Sequence, residues 1–278
     1  MVGSSAEKYH IKQGKVPGTL AAAYEVYCDA LESLYCPPRY QIIRSHRHLG
    51  FAMAVKLGLA ATDTDYAIIL QHDRKFCKPV EYLPQLISAM DRYTNIRYIG
   101  FPTSISSNHF DIIKSKYKLE ELLKQCTIQA QDRSVTLLPL IFWYDSNHLC
   151  HVKRYLEIFT PYRSLGNCSI EMREYFGLPR IKSMLLKDGD FIEDKFGQLQ
   201  RNIVTSSRID REMHIKIFRW FGSYLVWQND GLANIWDSNN FYNKACKEAN
   251  VVVRHLKGRQ FDPEKGNLEV TYMSSCII

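Results

Sequence analysis

Apolar positions along the 278-residue chain change period several times, and each change marks an element. Leu20, Tyr24, Tyr27 and Leu31 recur at intervals of three and four, so the spacing predicts a helix over 19–34, stopped by Pro37-Pro38. YQIIRS (40–45) predicts a short buried strand, and HLGFAMAVKLGLAAT (48–62) a helix whose small residues let it lie close to a sheet. DYAIILQHD (65–73) predicts a strand: its apolar run, Tyr66 to Leu70, ends abruptly in Gln71-His72-Asp73-Arg74-Lys75. A helix from about Val80 to Tyr93 and a strand in IRYIGFP (96–102) follow. Helices and strands thus alternate through the first hundred residues, which predicts an α/β fold with a largely parallel sheet. Ligands of such sheets gather at the carboxyl ends of the strands, where the cluster at 71–75 falls.

The second half is less regular. A charged helix is expected near 114–128, a strand in VTLLPLIFWYD (135–145), a helix at about 151–159 and a short one at 170–176. FGSYLVWQNDGLANIW predicts a hairpin turning at Asn229-Asp230-Gly231, and NVVVRHLKGRQF (250–261) a late strand leaving into a basic loop. Residues 1–18 read as a polar tail, and the absence of repeats, low-complexity blocks and linkers favours one domain over 19–278. The opening residues lack the apolar core of a signal peptide. The longest apolar runs, such as LLPLIFWY, fall far short of the ~20 residues that span a bilayer. Cys276, third from the end, does not make a prenylation box. The expectation is a protein in solution, cytoplasmic or peripheral to a membrane.

Composition narrows this only slightly. Hydrophobic residues at 46% and charged residues at 23% are ordinary for a globular chain. The net charge of +7 comes from scattered basic residues, which suits an anionic small molecule or an anionic surface. Nucleic-acid binding needs a clustered basic stripe, and no zinc finger, RNA-recognition signature or basic zipper is present. Aromatics at 12%, with 17 tyrosines, suit a cleft for sugars or bases as well as a Tyr-rich core. The eight cysteines form no C-x-x-C pair and read as reduced thiols.

Four constellations could carry chemistry. At the strand end, Asp73 has the carboxylate a hard divalent ion takes, His72 can ligate or donate, Gln71 can hydrogen-bond a hydroxyl, and Arg74 and Lys75 can meet phosphate oxygens. Alone, the same residues read equally as a polar loop capping the next helix. Glu193-Asp194 can supply a general base, or simply complement a helix dipole at its start. His255 stands among Arg254, Lys257 and Arg259, company that a bound anion would explain. FWYDSNHLCH groups Asp145, His148, Cys150 and His151 without the paired spacing of a structural zinc site; Trp143, Tyr144 and Asp145 are better read as lining a cleft where a sugar could sit. The motifs of dinucleotide-binding, P-loop, zincin and α/β-hydrolase enzymes are all missing.

The stretch HLGFAMAVKLGLAATDTDYAIILQHDRKF resembles the core of family 2 glycosyltransferases of the GT-A fold, in which a small-residue helix precedes a strand ending in D-x-D. Gly50, Ala54, Lys56 and Gly58 match the helix, and Gln71-His72-Asp73 fills the D-x-D slot with Gln in place of the first acid. The family's x-E-D motif corresponds to Ile192-Glu193-Asp194 and its C-terminal His to His255. The family's opening nucleotide-binding strand has no counterpart before the helix at 19–34. The resemblance implies a three-layer α/β/α sandwich with a mostly parallel, Rossmann-like sheet, its nucleotide-sugar side in 19–110 and its acceptor side in 111–278. It implies transfer of a sugar from a nucleotide-sugar to a glycan, lipid-linked or other hydroxyl acceptor, inverting and assisted by Mn²⁺ or Mg²⁺, with room for peripheral membrane contact and none for nucleic acid. Asp73 and His255 would hold the metal; Gln71, His72, Arg74, Lys56 and Arg259 would meet the donor. Asp194 or Glu193 would deprotonate the acceptor, seated by Trp143, Tyr144 and Asp145. The alternative is a non-catalytic carbohydrate- or nucleotide-binding relative of the same fold.

Overall fold

A computed structural model describes residues 18–35, 38, 40–45, 47, 49–71, 74–104, 106–130, 135–161, 176, 182, 185–206, 210–228 and 253–255. The expected tail, the helix at 170–176, the hairpin turn at 229–231 and the basic loop after 255 lie outside the described residues, apart from Phe176. The chain divides into two compact units, 1–50 and 51–278.

In the first unit, α1 (Gly18–Leu34) forms as its spacing predicts, with Cys28 and Leu31 buried. The strand expected at 40–45 is absent: the segment is irregular and Ile43 is exposed. A short apolar run needs a neighbouring strand to fill its backbone hydrogen bonds, and none of the described strands pairs with it. Arg44 instead fastens the segment to α1 through Glu25, Asp29 (2.8 Å) and Glu32 (3.6 Å), three carboxylates spaced along one helical face.

The second unit carries α2 (Gly50–Ala60), β1 (Tyr66–Ile69), β2 (Arg74–Phe76), α3 (Leu83–Arg92) and β3 (Tyr98–Gly100). Short helical turns run from Ser106 to Lys116, and α4 (Glu120–Cys126) forms within 114–128, where a charged helix was expected. Then come β4 (Ile128–Gln129), β5 (Val135–Pro139), β6 (His148–His151) and α5 (Val152–Leu156). A π-helical turn at Glu193–Gly197 leads into α6 (Gln198–Val204), followed by α7 (Arg211–Phe221), β7 (Ser223–Gln228) and β8 (Val253–His255). Buried stripes explain the helices: Ala52, Val55 and Leu59 on α2, and Leu86, Ala89 and Met90 on α3.

The mixed sheet runs in the order β1-β6-β3-β7-β5-β4, and β2 pairs separately with β8. The fold is α/β, but the expectation of a mostly parallel sheet is corrected, since β3–β7 is the one parallel pair among the described strands. The reason is specific. β1 and β3 do point the same way, as a strand–helix–strand unit should, but β6 inserts between them and pairs antiparallel with both. β6 was concealed in FWYDSNHLCH, whose polar residues read as a loop; the strand expected over 135–145 ends at Pro139, which lacks the N–H a ladder needs.

Helix α7 shows strong local signals at both ends. Asp210 caps it by accepting from the Met213 N–H (2.9 Å), and Gly222 ends it in the left-handed conformation with φ +61°. A Cβ on Gly222 would sit 1.9 Å from the Asn95 carbonyl oxygen, because the Gly222 C=O also accepts from the Arg97 N–H (2.9 Å) at the start of β3. Gly222→Ala should therefore cost more than the about 1–2 kcal/mol of a left-handed residue alone; urea denaturation of the variant measures this, and a smaller loss would mean that the 95–97 backbone yields.

Candidate functional site

β1 ends opposite His148, and β3 ends opposite the same residue, so the turn before β6 lies at the carboxyl ends of two strands of like direction. Asn147, with no exposed surface, ties these ends together. Its Oδ1 accepts from the Gln71 N–H (2.9 Å), and its backbone C=O accepts from the Phe101 N–H (3.2 Å). Amides just beyond a strand lack a ladder partner, and one Asn supplies both acceptors.

From Gln71 the contacts run outward to the basic cluster. Arg74 Nε donates to Gln71 Oε1 (2.5 Å), and the Arg74 N–H donates to the Gln71 C=O (3.1 Å). Arg74 opens β2, and the antiparallel register with β8 sets the His255 backbone opposite Arg74, the residue after Asp73. His72, Asp73, Arg259 and the side chain of His255 lie outside the described residues.

On its other side the turn meets the acidic pair. The Asp145 N–H donates to Glu193 Oε2 (3.2 Å), and the Glu193 N–H donates to Asp145 Oδ2 (3.2 Å), a reciprocal clamp. Gly197 allows the π-helical turn to lie this close, because a Cβ there would stand 2.4 Å from the Trp143 carbonyl oxygen. Glu193 is half-buried and Asp194 exposed. Asp145 is only 4% exposed, and burial pushes its pKa up to about 8. The neighbouring carboxylates of Glu193 and Asp194 add to the rise, while backbone amides of Glu193 and Ile192 oppose it.

Behind the turn stands His148, also buried, with its pKa lowered by burial to about 3. Its Nδ1–H donates to the Ser146 C=O (2.5 Å) and its Nε2 accepts from the Tyr155 hydroxyl (3.2 Å). The neutral ring packs between Tyr98 and Tyr155, with centroids at 4.2 and 5.4 Å. It is a pillar for the turn, uncharged at any pH near neutrality.

Two expected site residues fall elsewhere. Trp143 is fully buried and enclosed by Tyr98 (5.0 Å), Tyr155 (5.3 Å) and Phe196 (5.0 Å), so no face of its ring is open to a sugar. Lys56 Nζ lies over the Phe159 ring, 5.7 Å from its centroid. Tyr144 is half-buried at the turn; its phenol is pushed up to about 12, first by burial and then by Glu193, and its C=O accepts from the Tyr98 hydroxyl (3.2 Å). Ser146 and Asn147 belong to the turn although neither stood out in the sequence. Asp-Ser-Asn signals a turn, but nothing in it says that the turn faces inward. Among the described residues no group of three His, Cys, Asp or Glu could hold a metal ion, and Cys28, Cys77, Cys126 and Cys150 are not bridged by disulfides. No described helix is long and apolar enough to cross a membrane.

No protein-family model matches the chain, and comparison with curated proteins and with solved structures finds no match either.

Asp145 makes stability depend on pH with a definite sign. The folded chain holds a proton that the unfolded chain releases between the ordinary carboxylate range and about 8, so stability falls as pH rises through that window. One such proton gives a slope of up to about 1.4 kcal/mol per pH unit. Denaturation at about pH 5 and about pH 7.5 should show a loss in the wild type that Asp145→Asn largely removes; equal pH dependence in the two would show that Asp145 ionises normally.

Proposed function

We propose that this chain is a glycosyltransferase of the GT-A type, moving a sugar from a nucleotide-sugar to a hydroxyl acceptor with inversion at the anomeric carbon. The observation that carries this reading is convergence. Three stretches far apart in sequence, 71–74, 193–194 and 255, are linked around the turn at 145–147 by the contacts of Asn147, Asp145 and the β2–β8 register. They are the three stretches in which the family resemblance locates donor, base and metal residues.

The residues suit these roles in the following way. Asp194 is exposed and is the carboxylate best able to take the proton from an acceptor hydroxyl. Glu193, engaged by the Asp145 N–H, fixes the orientation of that turn of helix. The hydroxyl oxygen then bonds to the anomeric carbon as the bond to the departing diphosphate breaks, and the electron pair leaves with the diphosphate. Arg74, aimed by its Nε–H bond to Gln71, and Lys75, exposed beside it, are the cations for the phosphate oxygens. A divalent ion held by Asp73 and by His255, which is paired in register with the residue after Asp73, would neutralise charge on the diphosphate.

The test is turnover of common nucleotide-sugars by the purified chain with Mn²⁺ or Mg²⁺. Turnover should fall at least about 100-fold in Asp194→Asn, the usual size of a lost general base, and should also fall in Asp73→Asn. No turnover with any donor, together with no nucleoside-diphosphate binding by calorimetry, would reject the reading. One observation favours a non-catalytic relative instead: Gln71, in the slot of the first acid, spends its side chain on Arg74. Ligand binding without turnover in the wild type would decide for that alternative.

A further inference from the structure

Three consecutive residues of the turn each present a buried polar atom with no hydrogen-bond partner among the described residues: Asp145 Oδ1, Ser146 Oγ and Asn147 Nδ2. The residues are 4%, 6% and 0% exposed. An unsatisfied buried polar atom costs about 1–3 kcal/mol, so three in succession are a considerable sacrifice of stability. Native chains retain such groups where a ligand or a buried water meets them.

The turn cannot rearrange to pair these atoms with itself. Asn147 is held by the Gln71 and Phe101 amides, Asp145 by its clamp with Glu193, and the Ser146 carbonyl by His148. The atoms are thus fixed in direction as well as unpaired. Their chemistry is also selective. Asn147 Nδ2 is a donor, while Ser146 Oγ and the protonated carboxyl of Asp145 can each donate and accept. A set that mixes donors with acceptors matches sugar hydroxyls, each of which also donates and accepts. With the carboxylates of Glu193 and Asp194 bordering the turn and no cation among residues 145–147, a phosphate there would be repelled. A single protonated carboxyl in the triplet, beside a neutral hydroxyl and amide nitrogen, is a poor metal site.

We propose that Asp145-Ser146-Asn147 is a recognition site for the hydroxyl groups of an uncharged carbohydrate, with Ser146 and Asn147 selecting their arrangement. This rests on the transferase reading in assigning the bound sugar to the acceptor. The carboxylates of Glu193 and Asp194 border the turn, so a sugar held there has a hydroxyl beside the general base. The buried Trp143 has no part in the contact.

The experiment is an NMR titration of the full chain with the methyl glycosides of glucose, galactose, xylose and N-acetylglucosamine, without nucleotide or metal. Methyl glycosides resemble acceptor ends and cannot act as donors. At least one should bind and shift the amide signals of Ser146 and Asn147. Ser146→Ala removes a hydroxyl that no described residue uses, so its Tm should be unchanged or higher, while affinity for that glycoside falls about three- to tenfold, the worth of one hydrogen bond. No binding by any glycoside, binding that leaves those amides unmoved, or a Ser146→Ala variant with lower Tm and unaltered affinity would each overturn the proposal. The last result would mean that the hydroxyl serves the fold, through a buried water. Because no donor is present, a chain that fails every nucleotide-sugar assay can still pass this test, and the two readings fall separately.

Discussion

The arrangement of this site depends on one buried amide. Asn147 immediately precedes β6, and its two oxygens accept amides just beyond β1 and β3, those of Gln71 and Phe101. Without it, two strands would end in unpaired N–H groups inside the protein, and the chain could not leave the sheet there at a fixed angle. Everything polar nearby is positioned from this point. Gln71 leads to Arg74 and the β2–β8 pair, and the two residues before Asn147 lead to Asp145 and the helix of Glu193 and Asp194.

This gives the insertion of β6 a consequence beyond topology. A parallel neighbour between β1 and β3 would deliver its own carboxyl end to the same edge. The antiparallel β6 delivers its amino end, and with it the polar turn that precedes it. The carboxyl ends of β1 and β3 and the entry to β6 therefore share one place, and residues from both halves of the sequence meet there.

The turn itself is held at some cost. Asp145 is buried beside Glu193 and keeps a proton well above the usual range, because desolvation and a second carboxylate both oppose its charge. Its reciprocal hydrogen bonds with Glu193 and the close approach of Gly197 to Trp143 fix the distance between the turn and the acidic pair. The neighbouring aromatic group of Trp143, Tyr98, Tyr155 and His148 supplies apolar burial behind the polar face. Local polar expense is thus balanced by tight apolar packing a few ångströms deeper.

By itself the sequence determined the helices with a clear apolar stripe, α1, α2 and α3, and the strongly apolar strands β1, β3, β5 and β7, because periodicity is a local property of the chain. It also singled out the candidate residues Asp73, Glu193, Asp194 and His255, which are conspicuous from type and neighbours alone. Tertiary structure decided what these patterns could not encode. YQIIRS pairs with none of the described strands and was captured by a helix, β6 came from a polar stretch and reversed the sense of the sheet, and Trp143 went to the core. Ser146 and Asn147 acquired their importance only when a turn with ordinary surface composition was folded inward. Strand pairing and burial are relations between distant segments, and no local period records them.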